Sequence, residues 1–137
     1  MSLVLDSSVA LTWCFEDEHT STTLDLLDQI VETGAMAPSL WPLEILNGLA
    51  MAERRGRLDA TRRHQLAGFL RDLPINLDPE TASQSWTATA LLAERYRLTL
   101  YDAAYLELAQ RLDLPLATLD QELRVAGGAL GLTLLGD

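Results

Sequence analysis

Four acidic residues stand where this chain passes from one expected element to the next: Asp6, Glu44, Asp102 and Asp120. Asp6 ends the apolar run Leu3-Val4-Leu5, and Asp120 ends Leu116-Ala117-Thr118-Leu119. Glu44 opens the helix expected after Pro38 and Pro42, and Asp102 opens another after Leu98-Thr99-Leu100. Acids placed this way can converge on one edge of a parallel sheet. Carboxylates gathered there repel one another unless a divalent cation sits among them. The chemistry that suits them is metal-dependent attack on phosphate esters. Hard cations such as Mg²⁺ take oxygen ligands, and a pair of them about 3.5–4 Å apart can clamp the attacking and leaving oxygens of a phosphodiester.

Each acid also has a plainer reading. Asp6 and Asp120 could cap the helices that follow them, and Glu44 and Asp102 lie in first turns, where the helix dipole favours negative charge. Capping needs one short polar group per helix, however, and Ser7, Ser8, Ser39 and Thr99 stand nearby for it. Four acids at four junctions exceed that requirement. His19 and His64 are isolated and expected on the surface, so no dense His/Cys set points to zinc.

Other chemistries lack their residues. No phosphate-cradling G-x-x-x-x-G-K-[ST] or G-x-G-x-x-G loop follows the first strand, and there is no G-x-S-x-G elbow. Phosphatases of the haloacid-dehalogenase type want a second aspartate two residues after the first, where this chain has Ser8. A receiver-type phosphoacceptor wants a late lysine, and the chain has no lysine.

A length of 137 residues suits one domain, 1–137, with a core that needs no staples. The lone Cys14, inside Leu11-Thr12-Trp13-Cys14-Phe15, is expected to be a buried packing residue, and a reducing cytoplasm fits. No signal peptide and no apolar run of membrane-spanning length is apparent, so no membrane association is expected. The net charge of −10 argues against non-specific binding of nucleic acid. Bound cations or a basic partner would soften that objection. The cluster Arg54, Arg55, Arg57, Arg62 and Arg63 could hold RNA phosphates or a partner's acids, or be a solvated helix connection.

The elements that must position the acids alternate between short apolar strands and amphipathic helices, the pattern of an α/β fold with a mainly parallel sheet. Strands are expected at residues 2–6, 35–37, 74–77, 115–118 and 131–135. Helices are expected from Ser7, over 20–33 with Gly34 as the stop, from Pro42 to about Arg55, and from Asp59 to about Leu73. A long helix should run from 80 to about 96. The next, over 101–113, should bury a stripe of Tyr101, Tyr105, Leu108 and Leu112. A short one after Asp120 should break at Gly127-Gly128. In open parallel sheets ligands bind outside the carboxyl ends of the strands, where Asp6 and Asp120 lie.

Four stretches carry a family likeness. They are Leu3-Val4-Leu5-Asp6-Ser7-Ser8-Val9, Pro38-x-x-Trp41-x-x-Glu44-x-x-Asn47-x-Leu49, Leu98-Thr99-Leu100-Tyr101-Asp102-Ala103-Ala104-Tyr105-Leu106 and Pro115-Leu116-Ala117-Thr118-Leu119-Asp120. The chain resembles the PIN-domain ribonucleases, and among them the VapC-type toxins of type II toxin–antitoxin pairs. The likeness covers essentially the whole chain, and Tyr-Asp-Ala-x-Tyr-Leu is its most specific element.

The resemblance implies a three-layer α/β/α domain and a Mg²⁺-dependent endoribonuclease, with Mn²⁺ as a possible substitute, that cleaves RNA by metal-activated water. It implies that Asp6, Glu44, Asp102 and Asp120 form the catalytic and metal-binding set, with Asp6 and Asp102 as principal ligands and Ser8 and Thr118 as accompanying polar positions. Relatives often carry a further acid two residues after the last aspartate. Here that residue is Glu122, which leaves the number of ions open. The resemblance further implies a cognate VapB-type antitoxin, an RNA substrate and a homodimer. Trp13, Phe15, Trp41, Met51 and Trp86 offer large apolar surface for such partners, or for the core. The competing readings are a non-catalytic PIN-like module acting through a protein partner, and a metal-dependent nuclease of RNA processing or of DNA.

Overall fold

A computed structural model describes residues 2–137. Five strands form one all-parallel sheet in the order β3-β2-β1-β4-β5. They are β1 (Val4–Leu5), β2 (Ala35–Pro38), β3 (Ile75–Asp78), β4 (Leu116–Ala117) and β5 (Leu134–Leu135). Val4 pairs with both Met36 and Leu116, so β1 is the central strand. Successive strand residues point to opposite faces, and Leu3, Val4 and Leu5 are all 0% exposed. Both faces of the sheet are therefore covered, as parallel sheets require. The result is a helix–sheet–helix sandwich, the three-layer α/β/α arrangement expected from the pattern.

The helices begin and end for identifiable reasons. Helix α1 (Ser7–Thr12) follows β1 directly. Helix α2 (Ser21–Thr33) opens on a reciprocal cap between Thr20 and Thr23. It stops at Gly34, whose φ of +79° favours glycine and where a Cβ would lie 3.2 Å from the Pro74 carbonyl oxygen. Helix α3 (Trp41–Arg54) carries Pro42 in its first turn, and α4 (Ala60–Arg71) is capped by Asp59, which accepts from the Arg62 amide.

The long helix expected over 80–96 is interrupted. It comprises α5 (Thr81–Gln84), a π-helical stretch over Ser85–Thr89, and α6 (Ala90–Tyr96). Helix α7 (Leu100–Leu112) buries every residue from Ala103 to Ala109 and packs on β1, β2 and β4. The expected stripe holds at Tyr105 and Leu108, both 0% exposed. It fails at Tyr101 and Leu112, which lie in the first and last turns of the helix and are exposed. Helix α8 (Gln121–Ala129) does not break at Gly127-Gly128. A Cβ on Gly127 would meet Leu134 Cδ2 at 2.8 Å, so this glycine allows α8 to lie close on β5 rather than ending the helix.

Cys14 is buried, as expected of a packing cysteine, and burial pushes its thiol up to about 11. Trp13 and Trp41 belong to the core, whereas Trp86 is 86% exposed. Among the described residues no helix is long and apolar enough to cross a membrane.

Candidate metal centre

The carboxyl end of β1 delivers Asp6, and the carboxyl end of β4 delivers Thr118 and, two residues later, Asp120. Asp6 is the residue before α1, yet its side chain makes no cap hydrogen bond. Its Oδ2 instead accepts from Ser8 Oγ and from Thr118 Oγ1, each at 2.7 Å. Ser8 Oγ in turn accepts from the Leu119 amide, and Thr118 Oγ1 from the Asp120 amide. These two hydroxyls tie the ends of β1 and β4 into one polar unit. Asp6 is only 4% exposed.

Helix α7 brings Asp102 to the same edge. Thr99 caps this helix by accepting from the Asp102 amide, so the Asp102 carboxylate is not needed as the cap. Asp120 does serve as a cap, accepting from the Leu123 amide through Oδ1, which satisfies the plainer reading for one oxygen. Glu44, in the first turn of α3, accepts from the Tyr105 hydroxyl and, at 3.4 Å, from Ser7 Oγ.

Ligand atoms of Asp102, Asp120 and Glu122 lie within 4.8 Å of one another. Glu122 is the residue that reasoning from the four junctions passed over. Its signal was its place two residues beyond Asp120, in the first turn of α8. Asp6 and Glu44 stand outside that tight trio but close enough to act on it electrostatically.

Burial pushes the Asp102 carboxyl up to about 6, and the charges of Asp120 and Asp6 add to the rise. Burial also raises Asp6 against the lowering effect of its two hydroxyl donors, and Asp120 raises it further. Glu44 is raised by burial, lowered by its Tyr105 hydrogen bond, and raised again by Asp6 and Asp102. Acids that raise one another mark a site short of positive charge. Among the described residues no arginine or histidine forms an ion pair with any of these five carboxylates. A second acidic cluster makes the contrast: buried Asp78 and Glu107 both pair with Arg111. The donor set is all oxygen, clustered and without an internal cation, so it fits a hard divalent ion such as Mg²⁺ or Mn²⁺.

Residues 3–129 match the family model of the PIN domain. The chain belongs to the PIN-domain family. Crystal structures share the PIN fold seen here. PAE2754 from Pyrobaculum aerophilum has a TM-score of 0.67 and 24% identity over 92% of this chain and 87% of its own. FitAcB from Neisseria gonorrhoeae has a TM-score of 0.67 and 16% identity over 99% and 97%. VapBC2 from Rickettsia felis, bound to a DNA fragment from its promoter, has a TM-score of 0.63 and 11% identity over 98% and 97%. At these identities the likeness is one of fold. A comparison with curated proteins gives no match.

Two of the five clustered arginines are ion-paired within the chain. Arg57 pairs with Asp17 and Glu18 and lies 4.0 Å over the Phe15 ring, and Arg63 pairs with Glu53. For Arg57 and Arg63 these contacts favour the reading of a solvated helix connection. His19 and His64 are exposed, as expected.

Proposed function

We propose that this PIN domain, spanning 1–137, is the toxin of a type II toxin–antitoxin pair and a Mg²⁺- or Mn²⁺-dependent endoribonuclease. The observation that carries the reading is the set of mutually repelling carboxylates at the β1/β4 edge, which no cation among the described residues pairs. Asp102, Asp120 and Glu122 would hold the ion, with Asp6 and Glu44 contributing charge beside it. When bound, a divalent cation there supplies Lewis-acid charge for a phosphodiester and activates water.

The chain's own residues do the rest. Ser8 and Thr118 fix the Asp6 carboxylate in one orientation. Tyr105 fixes that of Glu44. The Ser8 and Thr118 hydroxyls at the cluster are engaged in holding Asp6, which suits hydrolysis by water.

Two structural neighbours, FitAcB and VapBC2, support a protein partner by their fold, and an antitoxin fits the surface of this chain. A groove of about 590 Å³ runs between α3 and α4, walled by Trp41, Ile45, Leu46 and Leu77 with Arg63 and Arg71 beside them. An apolar antitoxin helix laid there, with a basic side chain pushed among the carboxylates, would inhibit by competing with the metal. A cytoplasmic homodimer acting on RNA completes the reading.

The test is cleavage of a mixed structured RNA pool by purified, antitoxin-free protein, with Mg²⁺ or Mn²⁺, with EDTA, and with Asp102→Asn. Discrete cleavage that needs both the ion and Asp102 is expected. Neither cleavage nor ion binding by the wild type would leave a non-catalytic module as the better account.

A further inference from the structure

A hollow of about 320 Å³ adjoins the carboxylates, lined by Tyr96, Arg97, Gln121, Glu122, Val125 and Ala126. Glu122 belongs both to this wall and to the acidic trio. Whatever occupies the hollow is therefore next to whatever the carboxylates hold.

Its chemistry is unlike that of the acidic edge. Arg97 closes α6 in the left-handed conformation, with φ +54°, and the Leu98 amide bonds back to Ala93. This rare backbone for a non-glycine residue fixes where Arg97 sits. Among the described residues Arg97 forms no ion pair, although the chain has 20 acids to 10 arginines and lysines. The Arg95 guanidinium lies 5.2 Å over the Tyr96 ring and adds positive charge nearby. Val125 is 73% exposed, an apolar side chain left bare beside the cation. Gln121 offers both an amide donor and an acceptor. The Tyr96 hydroxyl is buried with no hydrogen-bond partner among the described residues, so the residue can offer the hollow only its ring.

We propose that this hollow is the subsite for the nucleotide next to the cleaved phosphate, a proposal that rests on the nuclease reading. Arg97 holds the flanking phosphate, Val125 and Tyr96 give apolar surface to the base, and Gln121 meets its hydrogen-bonding edge. A polyanion bound at the carboxylates through a cation needs a neighbouring positive charge to continue along the surface, and unpaired Arg97 supplies it. Contact to the phosphate sets position, whereas contact to the base edge sets preference. Gln121 and Val125 are thus the specificity-determining residues.

The experiment titrates the full chain in Mg²⁺ with each nucleoside 5′-monophosphate and, separately, with inorganic phosphate. The Val125 methyl and Gln121 side-chain amide resonances are followed. Saturable shifts at both are expected with nucleotides but not with phosphate, with affinities that differ among the bases. Arg97→Glu should weaken binding by roughly tenfold or more, and Gln121→Ala should level the affinities among the bases. Shifts confined to the carboxylates, or shared equally by inorganic phosphate, overturn the subsite. Failure of the nuclease reading looks different: wild-type protein binds nucleotides in the hollow yet cleaves no RNA with metal present.

Discussion

Tyr105, on the buried face of α7, donates its hydroxyl to Oε1 of Glu44, on α3, across 61 residues of sequence. The phenol ring is 0% exposed, and burial together with the Glu44 charge drives its ionisation upward. The hydroxyl therefore stays protonated, and a donor, around neutral pH. The core thus reaches out to orient one member of the acidic set.

Tyr105→Phe keeps the ring packing and removes only that donor. The variant should lose about 1–3 kcal/mol in urea denaturation, because a half-buried carboxylate loses a partner. Since the hydrogen bond lowers Glu44, its loss should raise Glu44 further and, under the proposed ribonuclease function, displace the acid limb of cleavage to higher pH. An unchanged acid limb would mean that the Glu44 charge takes no part in cleavage.

Asp102 makes a prediction with a definite sign. Its carboxyl rises from 3.8 to about 6 in the folded, metal-free chain. The folded state thus binds this proton more tightly than the unfolded state. The stabilisation is full below pH 3.8 and is lost as pH rises through about 6. Asp102→Asn should therefore melt at a higher temperature than wild type in EDTA above pH 6, by on the order of 1 kcal/mol after screening of a partly exposed group. The advantage should vanish in acid and reverse when Mn²⁺ is added, because the ion stabilises only the chain that binds it. Melting curves across pH, with and without Mn²⁺, read all three effects.

Thr118→Val replaces a fully buried hydroxyl by a methyl group of similar shape. It removes a donor to Asp6 and the acceptor for the Asp120 amide. A stability loss of about 1–3 kcal/mol is expected, with weaker Mn²⁺ binding by calorimetric titration. Ion affinity equal to wild type would show that Asp6 is oriented well enough by Ser8 alone.

Arg111→Met should be more damaging to the fold than any change among the candidate ligands. It leaves Asp78 and Glu107 buried without their cation, which costs about 3–5 kcal/mol. Guanidinium denaturation measures it. A cost comparable to that of an exposed ion pair would show that these two acids are readily hydrated.

The acids at the element junctions were legible because parallel sheets present their carboxyl ends to ligands, and apolar runs ending in Asp6 or Asp120 mark those ends. The helix stop at Gly34 and the caps at Asp59 and Thr99 were legible for equally local reasons. What escaped depends on neighbours distant in sequence. Gly127 reads as a breaker by propensity, but its lack of a side chain matters to Leu134 across the α8–β5 contact. The π-helical stretch at Ser85–Thr89 has no sequence marker such as a glycine or proline, so it was not legible as an interruption of the helix. Tyr101 and Leu112 keep the spacing of the stripe but lie in the terminal turns of α7, and periodicity does not report which turns are covered. The Glu107–Arg111 pair is spaced i,i+4 on α7 and is open to local reading, but nothing local separates Asp78 from the unpaired set, because its arginine comes from another element.

The unbroken burial of Ala103 to Ala109 has a consequence for how this protein can change. Asp102 is the residue immediately before that run, with no loop or hinge between them. Any repacking beneath α7, even a single methyl group added at Ala104 or removed at Leu106, is transmitted along a rigid rod to the carboxylate at its end. Most enzymes can drift inside while their working loops stay put. Here interior and working edge share one helix, so the freedom to vary must be sought on the outer surfaces of α2 and α4.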